Sequence, residues 1–278
     1  MDSRQRPLGI FDSGIGGLTV LKEIMEVLPD EDTVYLGDTA RVPYGTKSGP
    51  AVRRYAVENA GFLLKHGIKL LVVACNTASA YALDELKEML DIPVIGVILP
   101  GARLAASVSR NKRVGVIGTE GTIKSGAYFD AIKNIDPEVT VFSKACPLFV
   151  PLAEEGWTEG EVARLVAEEY LKEIKGEGVD VVLLGCTHYP LLKKVIAGVM
   201  GEGVKLIDSA YATAIEVKNL LSQKGLLMEK GEKGEKGEDG RKPLRKFFVT
   251  DSPERFLKVG KRFLSGSLKE AELIKAGS

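Results

Sequence analysis

Cys75 and Cys186 stand at matching points of the chain, in LLVVACNT and VVLLGCTH. Each directly follows a buried-strand pattern, carries hydroxyl or amide neighbours and leads into a helical pattern. In open parallel sheets ligands collect outside the carboxyl ends of the strands, which is where both thiols fall. A thiol at a helix N-terminus also lies near free N–H groups and the positive end of the dipole, so its thiolate is favoured. Three uses of such a pair can be weighed. A redox disulfide requires the sulfurs to meet. A metal site could draw on Cys75, Cys186 and His188, but the paired C-x-x-C spacing of zinc sites is missing. The third use sets the thiols on opposite faces of a bound ligand. One removes a proton from carbon and the other returns one, which inverts a stereocentre. Cys146, in KACP, has no matching context and reads as structural.

Two further groups look like helpers. Asp12 ends the first strand pattern beside Ser13, and His188 is two residues past Cys186. Carboxylate and imidazole can shuttle protons to a thiol or polarise a substrate, although each is also an ordinary capping or surface residue. His66 precedes Gly67 at a helix end and reads as a C-terminal cap. The glycine turns argue against nucleotides. Gly14-Ile15-Gly16-Gly17-Leu18-Thr19 misses G-x-G-x-x-G at Thr19, and Gly118 to Ser125 misses a P-loop at Ile123. Their N–H groups, with Ser13, Asn76, Thr77 and Thr187, suit the carboxylates of a small zwitterion instead.

The elements that position these groups follow from short apolar runs alternating with helical spacing. Strands are expected at residues 7–11, 33–36, 70–74, 94–98, 113–117, 179–184, 204–207 and 246–250. Helices are expected after the first glycine turn, from Pro50 to about His66, beyond Thr77, over 213–221 and from Ser252-Pro253-Glu254. This alternation means α/β architecture with mostly parallel sheets flanked by helices. The second half echoes the first. Arg113 answers Pro7, Cys186 answers Cys75 and Val204 answers Pro93, at separations of 106, 111 and 111 residues. Two similar lobes with a cleft between them are expected.

Composition narrows the class. The 278 residues are enough for one large domain or two modest ones. With 38 basic and 38 acidic side chains there is no excess charge to attract nucleic acid. No apolar run approaches the ~18–20 residues of a membrane span, and the first residues lack the apolar core of a signal peptide. Three cysteines suit a reducing compartment better than a disulfide framework, so a cytoplasmic enzyme is expected.

FDSGIGGLTV (11–20), YLGDTARVPYG (35–45), ACNTAS (74–79), GVIGTEGTIKSGAY (115–128) and LLGCTHYPLL (183–192) closely resemble glutamate racemase. The resemblance runs from residue 8 to about 265. It implies a two-lobed, cofactor-independent enzyme that interconverts L- and D-glutamate and supplies D-glutamate for peptidoglycan. By that resemblance Cys75 and Cys186 are the paired acid and base. The substrate contacts fall on Asp12, Ser13, Tyr44, Gly45, Asn76, Thr77, Thr187 and His188. No metal, pyridoxal phosphate or nucleotide is implied, and a homodimer is expected. The first lobe would comprise residues 1–97 plus 209–278, and the second residues 98–208. A racemase for aspartate would keep both thiols, and a two-lobed amino-acid-binding protein would keep only the cleft.

The stretch EKGEKGEKGEDG departs from the family pattern and reads as a mobile, solvated loop across residues 229–243. Replacing residues 231–240 by a short Gly-Ser linker should therefore leave kcat within about twofold and stability within about ±0.5 kcal/mol, as for surface changes remote from special features. Initial rates and urea denaturation check this, and a large drop would mean that the stretch orders against the rest of the chain.

Overall fold

Strands buried on both faces need no polar alternation, and the chain uses such strands to build two sheets. The structure is a computed structural model that describes residues 3–228, 242–264 and 268–277. The glycine-rich stretch at 231–240 lies outside the described residues. The first series is β1 (Leu8–Asp12), α1 (Leu18–Val27), β2 (Thr33–Gly37), α2 (Gly49–Lys65), β3 (Leu70–Val73), α3 (Asn76–Met89) and β4 (Val94–Gly96). Helix α4 (Ile98–Val108) opens the second series: β5 (Arg113–Gly118), α5 (Glu120–Lys124), α6 (Ala127–Ile135), β6 (Thr140–Ala145), α7 (Phe149–Glu155), α8 (Glu161–Gly176), β7 (Val181–Gly185), α9 (Lys193–Met200) and β8 (Lys205–Asp208). Helix α10 (Ser209–Gln223) leads back to β9 (Arg245–Val249), α11 (Pro253–Leu264) and β10 (Glu272–Leu273).

The sheets run β10-β9-β2-β1-β3-β4 and β6-β5-β7-β8, and every pairing in them is parallel. The order β2-β1-β3-β4 recurs as β6-β5-β7-β8, so the echo in the sequence is an echo in topology. Each cysteine follows the strand beside the central one, Cys75 after β3 and Cys186 after β7. Helices cover both faces of each sheet. Leu8, Ile10, Leu70 and Val72 pack toward α1, α10 and α11 on one face of the first sheet. Phe11, Leu71 and Val73 pack toward α2 and α3 on the other. Helix α4 joins the core of the second sheet through Ile98, Ala102 and Ala105.

Three local expectations differ from what forms. The strand expected over 94–98 stops at Gly96, and Ile98 already belongs to α4. The strand expected from 179 begins at Val181, after Gly178 turns the chain at φ +63°. Pro253 opens α11 as expected, but Ser252 adopts φ +47° instead of the extended backbone of a side-chain cap. Thr39 holds the preceding residue, donating to the Asp251 carbonyl and accepting from its N–H, which fixes the approach to the helix.

Helix α11 buries Phe256, Val259, Phe263 and Leu264 against the first sheet's core. Phe256 is fully buried and packs beside Tyr35, their ring centroids 6.0 Å apart. Phe256→Ala should destabilise the protein by about 3–5 kcal/mol, the range for truncating a buried aromatic ring. Chemical denaturation measures this, and a cost near zero would mean α11 is not docked.

Candidate active site

Cys75 occupies the N-cap of α3 in an extended conformation, and its carbonyl accepts the Ser79 N–H at 2.8 Å. The expected helix-terminal thiol therefore forms. Its acidity does not follow the expectation. Burial pushes the Cys75 thiol up to about 12 and the Asp12 carboxylate adds to the rise, against the Ala78 N–H and the Ser13 hydroxyl. With only 6% of the residue exposed, desolvation outweighs the helix terminus.

Cys186 is just as buried, but its local structure is different. It leads into a 3-10 turn over Tyr189–Leu192, with α9 starting only at Lys193. An α-helix N-terminus at this thiol was expected, and a histidine stands in its place. His188 Nδ1 lies 3.9 Å from the Cys186 sulfur. Its Nε2 lies 3.1 Å from Glu154 Oε1. Burial works against a charge on His188, yet Cys186 and Glu154 prevail and push it up to about 10. Glu154 is held below its ordinary value despite partial burial, because His188 and Arg255 face it.

The two thiols share one small cavity. Ser13, Tyr44, Gly45, Cys75, Asn76 and Thr77 line it from the first sheet's side, and Cys186, Thr187 and His188 line it from the second. Asp12 does not line it. Its carboxylate is fully buried behind the wall, accepts the Gly14 N–H at 2.9 Å and faces the Thr187 hydroxyl at 3.5 Å. Burial raises its pKa, partly countered by His188 and by backbone N–H groups of the glycine turn.

Glycine is required where the two halves touch. A Cβ on Gly16 would meet Thr187 Oγ1 at 2.3 Å and His188 Nδ1 at 2.4 Å. Across the cavity, a Cβ on Gly45 would meet Thr119 Cβ at 2.5 Å. Beside it, Thr77 shares hydroxyl contacts with Thr119 at 2.9 Å and Thr122 at 3.0 Å, again joining the two halves. Tyr44 is fixed through its hydroxyl, which donates to Asp38 and accepts from Asn59 Nδ2 at 3.0 Å. Asn76 Oδ1 accepts the Tyr128 hydroxyl at 2.7 Å, while its Nδ2 is buried with no partner among the described residues. That donor is free for an acceptor arriving in the cavity.

Val42, Pro43, Thr119 and Val150 complete the lining. The first three lie within the motifs at 35–45 and 115–128 but were not singled out, and Val150 carried no sequence signal. Glu154 belongs to no motif and reaches His188 only through the docking of α7. Cys146 is buried outside the cavity, its thiol raised to about 12 mainly by burial, which fits a structural residue. His66 does end α2, where its ring packs between Phe62 and Phe248. Among the described residues no group of three His, Cys, Asp or Glu side chains is set to hold a metal ion, and no helix is long and apolar enough to cross a membrane.

Two parallel-sheet lobes that each present a strand-end thiol to one cavity match a known class. The sequence pattern of the Asp/Glu/Hydantoin racemase family covers residues 16–217, and the chain belongs to that family of amino-acid racemases. Within it, the chain groups with the glutamate racemases. It is 60% identical to the glutamate racemase of Geobacter metallireducens over 95% of this chain and 94% of that protein. The crystal structure of isoform RacE1 from Bacillus anthracis superposes with a TM-score of 0.91 at 39% identity, covering 99% of both chains. The Francisella tularensis enzyme, solved in complex with D-glutamate, gives 0.89 at 40% identity over 98% of both.

His188 supplies a pH signature. Its pKa rises from an ordinary 6.5 to about 10, so the stability it contributes is full below pH 6.5 and is lost as pH climbs toward 10. The charged or titrating groups that face it are Glu154, Cys186 and Asp12. The difference in melting temperature between the natural chain and His188→Asn should be widest below pH 6.5 and narrow steadily toward pH 10. A difference that grows with pH would contradict a charged His188.

Proposed function

We propose that this chain interconverts L- and D-glutamate without a cofactor, using Cys75 and Cys186 as two bases on opposite faces of the substrate. The observation that carries the reading is the pairing of two strand-end thiols, one from each sheet, in one small buried cavity. In one direction a thiolate takes the α-proton and the C–H electron pair passes into the α-carboxylate as an enolate. The opposite thiol then gives its proton to the other face of the carbon. The reverse direction exchanges the roles, so the enzyme ends each turnover with its thiol and thiolate swapped.

The weak acidity of the α-hydrogen is the barrier, and the site addresses it from two sides. Burial keeps Cys75 a strong base once it is ionised, and the nearby Asp12 charge strengthens it further. At Cys186, His188 can donate to the sulfur and balance its charge. Asp12 therefore assists Cys75 through space, and His188 assists Cys186 by contact. The substrate carboxylates suit the unpartnered Asn76 Nδ2, the N–H groups of Asn76 and Thr77 at the start of α3, and the hydroxyls of Ser13 and Thr187, with Tyr44 completing the wall. Gly45 offers its backbone in the same wall. The D-glutamate bound by the Francisella relative supports this substrate class.

We assign residues 1–97 plus 209–278 to one lobe and 98–208 to the other, since α10 packs with the first sheet and α4 with the second. In the cell, we place the enzyme in the cytoplasm as a homodimer that supplies D-glutamate for peptidoglycan.

Cys75→Ser and Cys186→Ser should each lower racemisation by at least about a thousandfold, while each still exchanges the α-proton of one enantiomer only. Proton NMR of L- and D-glutamate in deuterated water measures both, with aspartate as the control for selectivity. Equal residual exchange from both enantiomers in either variant would sink the two-base assignment, and faster turnover of aspartate would change the substrate.

A further inference from the structure

Glu154 holds His188 with one carboxylate oxygen, which leaves the question of what holds Glu154. The answer lies in the other lobe. Arg255 on α11 places Nη2 3.3 Å from Glu154 Oε2 and 3.4 Å from Glu155 Oε1. Seven residues further along the same helix face, Arg262 donates Nη1 to the Glu154 carbonyl. The Arg262 guanidinium lies over Gly156, where the backbone turns left-handed at φ +80° to end α7, so a Cβ there would meet Cζ at 2.8 Å. Phe263 of the same helix meets the His188 ring edge-on, centroids 5.6 Å apart. Helix α11 is itself fixed in the first sheet's core through Phe256, Val259 and Phe263.

These contacts form one line, from Arg255 through Glu154 and His188 to Cys186, and it crosses between the lobes. We propose that Arg255 is a positioning residue for proton transfer at Cys186, acting through Glu154 and His188. It makes that half of the reaction depend on the docking of α11 against α7. The inference rests on Cys186 being one of the two bases.

The physical reason is the geometry of a carboxylate with two tasks. Glu154 sits near the end of a seven-residue helix with its side chain only 16% exposed. With Oε1 on His188 and Oε2 on Arg255, its side-chain rotation is fixed, and the imidazole is held with Nδ1 toward the sulfur. Without Arg255, one oxygen loses its partner and the carboxylate can rotate off Nε2. An imidazole displaced even slightly from the sulfur transfers protons poorly. Cys75 is governed chiefly by burial, Asp12, the Ala78 N–H and the Ser13 hydroxyl, none of which Arg255 or Glu154 holds.

The test separates action through His188 from general damage. Arg255→Leu should lower kcat/KM roughly tenfold, equally from both enantiomers because the equilibrium constant is fixed. The primary isotope effect with α-deuterated substrate should rise for the enantiomer that Cys186 deprotonates and fall for the other, whose proton loss to Cys75 becomes less rate-limiting. Arg255→Lys should recover most of the rate. In the His188→Asn background, Arg255→Leu should cost nothing further. Equal isotope effects from the two enantiomers, or a full additional loss in that background, would overturn the inference. If His188→Asn itself showed no asymmetry between enantiomers, His188 would not serve Cys186 and this inference would fail, whereas failure of the two-base reading would show in the cysteine variants as equal residual exchange from both enantiomers. An asymmetric His188→Asn beside a symmetric Arg255→Leu would remove the role of Arg255 alone.

Discussion

The site depends on bringing two polar strand ends from separate sheets close enough to exclude water. The contact of Gly16 with Thr187 and His188 makes this possible, since any side chain there would hold the lobes apart. Once the gap is closed, both thiols are nearly dry, and every charge in the cavity acts with little screening. The basicity of Cys75 and the orphaned Asn76 amide follow from that exclusion, whereas the charge on His188 holds against it because Cys186 and Glu154 face the ring. The same desolvation is what a carbon acid requires if its proton is to move to sulfur.

The repeated strand order creates the twofold relation that a racemase needs, but the two halves are not copies at the chemical level. Cys75 caps a long α-helix and answers to a buried carboxylate. Cys186 precedes a 3-10 turn and answers to a histidine held by Glu154. Under the proposed mechanism each thiol serves as acid in one direction and base in the other. Cys75 does so beside a buried carboxylate and Cys186 beside an imidazole.

Helices that complete the site come from the lobe opposite the groups they support. Helix α11 is packed in the first lobe yet its arginines grip α7 of the second. Thr77 reaches Thr119 and Thr122, and Tyr128 reaches back to Asn76. Opening the cleft would break all these contacts together, which ties the arrangement of the groups around the cavity to closure.

The sequence by itself determined the α/β alternation, the parallel sheets, the duplication and the place of Cys75 and Cys186 at strand ends. These are legible because buried parallel strands must be continuous apolar runs and because glycine and small polar residues punctuate them. The edge strand β6 was not legible, since Thr140–Ala145 is half-exposed and mixes polar with apolar residues. The same holds for the acidity of Cys75, where the helix terminus is local but the burial that overrides it is not. Glu154, Thr119 and Arg255 lie far along the chain from the groups they meet, and no spacing rule connects them. Only the tertiary structure decided that Asp12 stands behind the cavity wall and that His188 is gripped from both lobes, because burial and charge pairing belong to the closed fold and not to any one segment.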